Sequence, residues 1–164
     1  QISTGFGYFD ASADEAWANC RYCLEVLASY CECKGVTLLL EELKSTTTNV
    51  LITSSDLKKM LGEVGSGAVL AMVDTDQMTY AGESIDNYFD HLGNSLAYIH
   101  FNDRGHTVPG DAEFPMKDYY RQIISHNYNG ACSFEICDRR YFNNPDEATD
   151  RLICWLKDNT NELD

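Results

Sequence analysis

Residues 67–76, GAVLAMVDTD, run a continuous apolar stretch straight into two acids. A segment this short, apolar throughout and bounded by glycine suits a strand covered on both faces. Working outward, residues 54–65, SSDLKKMLGEVG, have helical spacing and open on Ser-Ser-Asp, an N-cap signal. Residues 84–94, SIDNYFDHLGN, form a short helical stretch ended by Gly93. The same alternation extends both ways. Residues 36–43 (VTLLLEEL), 95–101 (SLAYIHF) and 130–136 (GACSFEI) read as strands. Residues 11–35, 115–130 and 144–163 read as helices, the last with Pro145 near its start. Residues 1–6, QISTGF, give a short strand tail. Strict alternation of apolar strands with helices predicts a parallel sheet in an α/β fold. No linker, repeat or low-complexity segment divides the chain.

The 164 residues, 44% of them apolar, suffice for one domain with a real core. A formal charge of -14, from 26 acidic against 12 basic residues, repels phosphate backbones and anionic membrane surfaces. Nucleic acid and membrane are therefore excluded as partners. The apolar runs fall well short of the ~20 residues needed to span a bilayer, and no signal-peptide pattern is present. Seven cysteines in a chain of this length predict reduced thiols in a cytoplasmic protein, not a disulfide scaffold. Cys20, Cys23, Cys31 and Cys33 share one helical stretch with Trp17, Leu24, Leu27 and Tyr30. They read as small hydrophobes more readily than as a zinc site.

Each strand tip carries chemistry. The second ends in Glu41 and Glu42, the third in Asp74, the fourth in His100 and the fifth in Glu135. Parallel strands put all their C-terminal ends on one rim, where open sheets and barrels of this class place their sites. Three carboxylates brought together repel one another unless a positive charge sits among them. Oxygen ligands with one imidazole suit Mn²⁺ best, with Mg²⁺ or Co²⁺ as alternatives, and suit zinc less well. Glu41, Asp74, His100 and Glu135 are thus the predicted ligands of one divalent metal ion, and Glu42 a supporting group. His91 and His126 fall in helical stretches and read as surface or capping residues.

The segments LLLEEL (38–43), MVDTDQM (72–78), YIHFNDRG (98–105), VPGDAEFP (108–115) and CSFEI (132–136) resemble, in order, the metal-site segments of the sugar isomerase and epimerase superfamily with a xylose isomerase-like TIM barrel. ISTGFGYFD (2–10), the Glu-x-Leu…Asn-Val pattern of Glu41 to Val50 and His-x-x-Pro-Gly at His106 to Gly110 bring the likeness nearest to ketose 3-epimerases of the fructoselysine 3-epimerase type. The resemblance implies that Glu41, Asp74, His100 and Glu135 hold the metal and that Glu41 and Glu135 are also the catalytic acid/base pair. His106 falls where related enzymes place a substrate-contacting Arg or His. Tagatose- and psicose-type relatives carry a second Glu where this chain has Thr47 and a His where it has Gln77. Those two positions therefore bear on the sugar's identity. Ala112 replaces a glycine of the usual Pro-Gly loop.

A complete barrel of this type needs ~250 residues and eight strands. The five strands here match the fourth to eighth, so a partial barrel lacking about three N-terminal βα units is expected. Its bare edges call for a second copy or a further N-terminal half. The implied reaction is epimerisation next to a sugar ketone, by proton transfer between two glutamates through an enediolate whose charge the cation offsets. Aldose–ketose isomerisation uses the same groups. Arg104, with Arg139 and Arg140, lies near the strand ends as a substrate or sugar-phosphate contact. Two other classes compete. An abasic-site endonuclease needs a His-rich zinc cluster and a basic face, against four histidines and an acidic chain here. A partial barrel that binds a sugar or a partner without turnover needs only the shape.

Overall fold

A computed structural model describes residues 2–3 and 12–160. Five strands, β1 (Ile2–Ser3), β2 (Leu38–Glu41), β3 (Val69–Asp74), β4 (Leu96–His100) and β5 (Ala131–Ser133), form one sheet in the order β1-β2-β3-β4-β5. Every pairing is parallel. Between and after the strands lie α1 (Ala13–Lys34), α2 (Ser54–Val64), α3 (Thr75–Tyr80), α4 (Ile85–Leu92), α5 (Met116–Ser125) and α6 (Pro145–Thr160). The alternation read from the sequence is thus observed. Most of the ISTGFGYFD segment lies outside the described residues.

The helix boundaries follow local chemistry. Ser12 caps α1 by accepting the Glu15 N–H, and Gly35 closes it with φ 63°, a left-handed turn that glycine adopts without strain. The cap of α2 is Thr53, one residue before the Ser-Ser-Asp signal. Thr53 Oγ1 accepts the Asp56 N–H while the Asp56 carboxylate accepts the Thr53 N–H at 2.9 Å. This reciprocal box fixes Ser54, Ser55 and Asp56 inside the helix. Ser84 and Asn87 form the same box for α4.

Side-chain alternation along the strands sorts the sheet into two faces. Leu40, Val69, Ala71, Val73, Ile99 and Phe101 point into the helix layer. There they pack with Leu24, Leu57, Met60, Tyr88 and Ile123 in the main core. The opposite face carries Leu39 and Glu41, Leu70, Met72 and Asp74, and Tyr98 and His100. Leu39, Leu70 and Tyr98 are only half-buried. The strands are therefore not covered equally on both faces as their apolar runs predicted: in a closed barrel, facing strands would cover this interior surface.

Register brings the polar tips to one rim. Asp74 sits directly opposite His100 on β3 and β4, and His100 opposite Ser133 on β5. The fifth strand is shorter than expected and ends at Ser133, so Glu135 lies beyond it in irregular backbone. Two of the four α1 cysteines also depart from expectation. Cys31 is buried and Cys20 half-buried, but Cys23 and Cys33 face solvent, because they fall off the apolar stripe of the helix. All seven cysteines are free. No helix among the described residues is long and apolar enough to cross a membrane.

Candidate functional site

Glu41, Asp74, His100 and Glu135 meet at the C-terminal rim of the sheet. One ligand atom from each lies within 4.8 Å of all the others. His100 Nδ1 is the hub. It stands 3.2 Å from Glu41 Oε1, 3.5 Å from Asp74 Oδ2 and 3.4 Å from Glu135 Oε2. Glu41, Asp74 and His100 are buried, whereas Glu135 is partly open to solvent and forms the outer lip.

The cluster's charge state follows from this packing. Burial disfavours a charged imidazole, but close contact with Asp74 and Glu41 and the charges of Glu135 and Glu41 outweigh it, lifting His100 to a pKa of about 10. For Asp74, burial raises the pKa, yet contacts with His100 and His106 and the backbone N–H of Gln77 bring it down to about 2. Burial, with the nearby carboxylates, pushes Glu135 up. The buried carboxylates are thus balanced by a proton held on His100, a role a cation can take over.

The residues fit a divalent cation. His100 Nδ1 is a buried nitrogen with no hydrogen-bond partner, ringed by three carboxylate oxygens at ion-pair distance. Three oxygen donors and one imidazole form a hard-ligand set typical of Mn²⁺ or Mg²⁺ sites. The cysteines take no part in the cluster, and among the described residues it is the one such group of acids, histidines and cysteines.

Support for the ligands comes from backbone and buried side chains. Asp74 also caps α3, its Oδ1 accepting the N–H groups of Asp76 at 2.8 Å and Gln77 at 3.2 Å. Helix α3 starts immediately after β3 and was not expected; an Asp followed by a polar run is the N-cap signal that could have shown it. Glu42 is fully buried behind the cluster. Burial holds its carboxyl well above the ordinary range, and Oε1 accepts the Asp74 N–H at 3.2 Å. Asn102, to which the sequence reading gave no role, donates Nδ2–H to Asp74 Oδ2 at 2.7 Å. Its Oδ1 accepts the Glu135 N–H at 2.6 Å.

The four expected substrate contacts separate into two groups. His106 stands at the cluster: Nε2 lies 3.4 Å from Asp74 Oδ2 and 3.3 Å from Glu135 Oε2. Its Nδ1 faces the fully buried Asp76 at 3.5 Å. A φ of 58°, uncommon for a residue with a side chain, swings the ring inward. Contact with Asp74, against the opposing effect of burial, raises its pKa. Gln77 is buried beside the cluster, but its Oε1 accepts the Lys44 N–H at 2.9 Å and so ties the loop after β2 to α3. Thr47 sits exposed in that loop's turn, its N–H on the Lys44 carbonyl. Arg104 is exposed and pairs with Glu113 at 2.9 Å. Arg139 and Arg140 lie in a turn past β5, with Arg140 bound to Asp138 at 3.1 Å.

The loop bearing His106 is built around Asp103, which is fully buried. Its carboxylate accepts four backbone N–H groups: Arg104 at 2.7 Å, Gly110 at 2.9 Å, Phe114 at 3.0 Å and Ala112 at 3.2 Å. The remaining histidines are held elsewhere. His91 bonds Ser54 Oγ at 2.6 Å, and His126 stacks on Phe89 and meets Asp86 at 2.7 Å.

This rim, with its acids and hub imidazole at or just past the ends of consecutive parallel strands, can be set beside known proteins. The family profile described as xylose isomerase-like TIM barrel matches residues 2–159. The chain belongs to that family. Within the xylose isomerase-like barrels it is 31% identical over 134 residues to fructoselysine 3-epimerase of Escherichia coli O157:H7, covering 79% of this chain and 48% of the relative. It is 26% identical to D-psicose 3-epimerase of Agrobacterium fabrum over 66% of this chain and 38% of that protein. Among solved structures, 3-keto-D-glucoside 4-epimerase from E. coli superposes with a TM-score of 0.81 at 18% identity, covering 95% of this chain and 62% of that one. The last comparison speaks for the fold alone. The chain spans about half the length of the curated relatives it matches.

Proposed function

We propose that this protein is a divalent-cation-dependent sugar epimerase or isomerase, of the ketose or ketosamine 3-epimerase type. The carrying observation is the convergence of Glu41, Asp74, His100 and Glu135 within 4.8 Å around a buried imidazole nitrogen that makes no hydrogen bond. The two epimerases that it resembles in sequence favour the same reading. Glu41, Asp74, His100 and Glu135 would hold the cation, with Mn²⁺ preferred for this donor set. Bound there, a divalent cation supplies positive charge that stabilises an enediolate at neutral pH.

The chain's own residues then do the proton work. One carboxylate takes the hydrogen from the carbon beside the ketone, and the C–H electron pair moves into the enediolate. The other carboxyl delivers a proton to that carbon from the opposite face, so nothing is oxidised or reduced. Glu41 and Glu135 suit the pair because they approach His100 Nδ1 from separate segments, Glu41 from the tip of β2 and Glu135 from the backbone past β5, with β3 and β4 between them. Glu135, partly open to solvent on the outer lip, suits exchange of its proton with water. His106 Nε2, aimed at the same lip, would contact a sugar oxygen. Gln77, Thr47 and Arg104 remain on the rim as weaker candidates for substrate contact. At the sheet's far edge Ala131 and Cys132 of β5 are exposed, which supports a continuation of the sheet by further βα units or a second copy. Free cysteines throughout favour a reducing, cytoplasmic setting.

The test is wash-in of solvent deuterium. The full-length protein is incubated with Mn²⁺ and a ketose or fructosamine in D₂O, and label is sought at the carbon beside the carbonyl. Incorporation that is lost in Glu41→Gln and Glu135→Gln supports the reading. Sugar binding without exchange overturns it in favour of a barrel that binds without turnover.

A further inference from the structure

The cluster's ligands come from four separate elements: Glu41 ends β2, Asp74 ends β3, His100 ends β4 and Glu135 lies in irregular backbone past β5. Nothing in strand pairing holds Glu135, because the ladder stops at Ser133. One fully buried side chain spans the gap. Asn102, two residues after His100, donates from Nδ2 to Asp74 Oδ2 at 2.7 Å and accepts the Glu135 N–H on Oδ1 at 2.6 Å. A carboxamide can do both at once because it carries a donor and an acceptor on the two ends of one planar group. The orientation is fixed by its neighbours: turned over, oxygen would face the Asp74 carboxylate and NH₂ would face an N–H.

Asn102 is itself immobilised. Its N–H donates to Thr75 Oγ1 at 2.8 Å, and the same hydroxyl donates to the Asn102 carbonyl at 2.6 Å. Thr75 follows Asp74 in the chain and is likewise fully buried. Thus β3, β4 and the segment after β5 are locked through a single amide. Three nearby substitutions would each lose this bridge. Asp would set oxygen against oxygen, Ser is too short to span both partners, and Leu fills the space but bonds neither.

We propose that Asn102 is the positioning residue of the cation cluster, orienting Asp74 Oδ2 and fixing the backbone that carries Glu135. This rests on the reading of the cluster as a cation site. Partners of this kind that orient metal ligands, when removed, weaken metal affinity by about 10- to 100-fold.

The test measures free Mn²⁺ by electron paramagnetic resonance during titration of full-length wild type, Asn102→Ala and Asn102→Leu, with thermal melting in EDTA alongside. The expected result is Mn²⁺ binding by wild type, weakened by about 10- to 100-fold in both variants. Leu retains the packed volume, so its loss of affinity separates ligand positioning from a cavity. A purely structural role would lower the melting temperature in EDTA yet leave Mn²⁺ affinity unchanged, and that outcome overturns the proposal. Absence of Mn²⁺ binding by wild type would instead overturn the underlying cation reading. Should either variant fail to fold, nuclear magnetic resonance of the wild type decides. The Asn102 side-chain NH₂ is expected to exchange slowly and shift on Mg²⁺ addition; fast exchange with no shift refutes the assignment.

Discussion

Loading the cluster with Mn²⁺ should expel a proton. In the cation-free protein His100 has a pKa of about 10, so at neutral pH its Nδ1 carries hydrogen among three carboxylate oxygens. A metal needs the lone pair of that atom, so binding must displace the proton. Asp74, at about 2, is already ionised and contributes none. With one proton exchanged per ion, apparent affinity rises tenfold per pH unit while the pH stays below His100's pKa. Between about pH 6.5 and about pH 8.5 the gain is about 100-fold, or about 2.7 kcal/mol at 1.36 kcal/mol per unit. Isothermal titration calorimetry in buffers of different ionisation enthalpy counts the protons directly. About one proton per Mn²⁺ at pH 7.5 is expected, and more if His106, also raised, is discharged with it. A count near zero with flat affinity across the range would refute the account of His100 as the cluster's resident positive charge.

Three further perturbations probe the same framework. In EDTA, stability should fall as pH rises: a histidine raised from 6.5 to about 10 contributes in full below about pH 6.5 and loses that contribution through about pH 10. The ceiling on this loss is about 5 kcal/mol, and thermal melts across the window, flat if the reasoning fails, will show it. Asp103→Ala strips four backbone N–H groups of their acceptor. With about 1–3 kcal/mol for a donor orphaned away from water, and water able to reach the exposed Arg104 and Gly110, a loss of about 3 kcal/mol is expected in urea unfolding, with faster hydrogen exchange over residues 104–114. Thr53→Ala breaks the capping box of α2 and should lower stability by about 1 kcal/mol, leaving Mn²⁺ affinity unchanged.

The parallel α/β order and the ligand positions were legible along the chain because both depend on local pattern. An apolar run such as LLL before Glu41, or LAMV before Asp74, predicts a buried strand wherever it folds. A parallel sheet then carries its C-terminal tips to one rim without further information. The supporting residues were not legible in that way. Asn102 and Asp103 look like an ordinary polar loop after β4, and only packing shows that one clamps two ligand segments and the other gathers four amides.

Tertiary structure also decided what Gln77 and His106 do. Gln77 turns to the Lys44 backbone, while the left-handed backbone at His106 brings its ring to the carboxylates. The sequence by itself determined which residues sit at strand tips, since alternation and hydrophobic periodicity are properties of neighbouring residues. Their spacing around His100 Nδ1 depends on register between strands and on buried amides reaching across it. Those are contacts between residues some thirty positions apart, such as Asn102 with Asp74 and Glu135, and no local pattern encodes them.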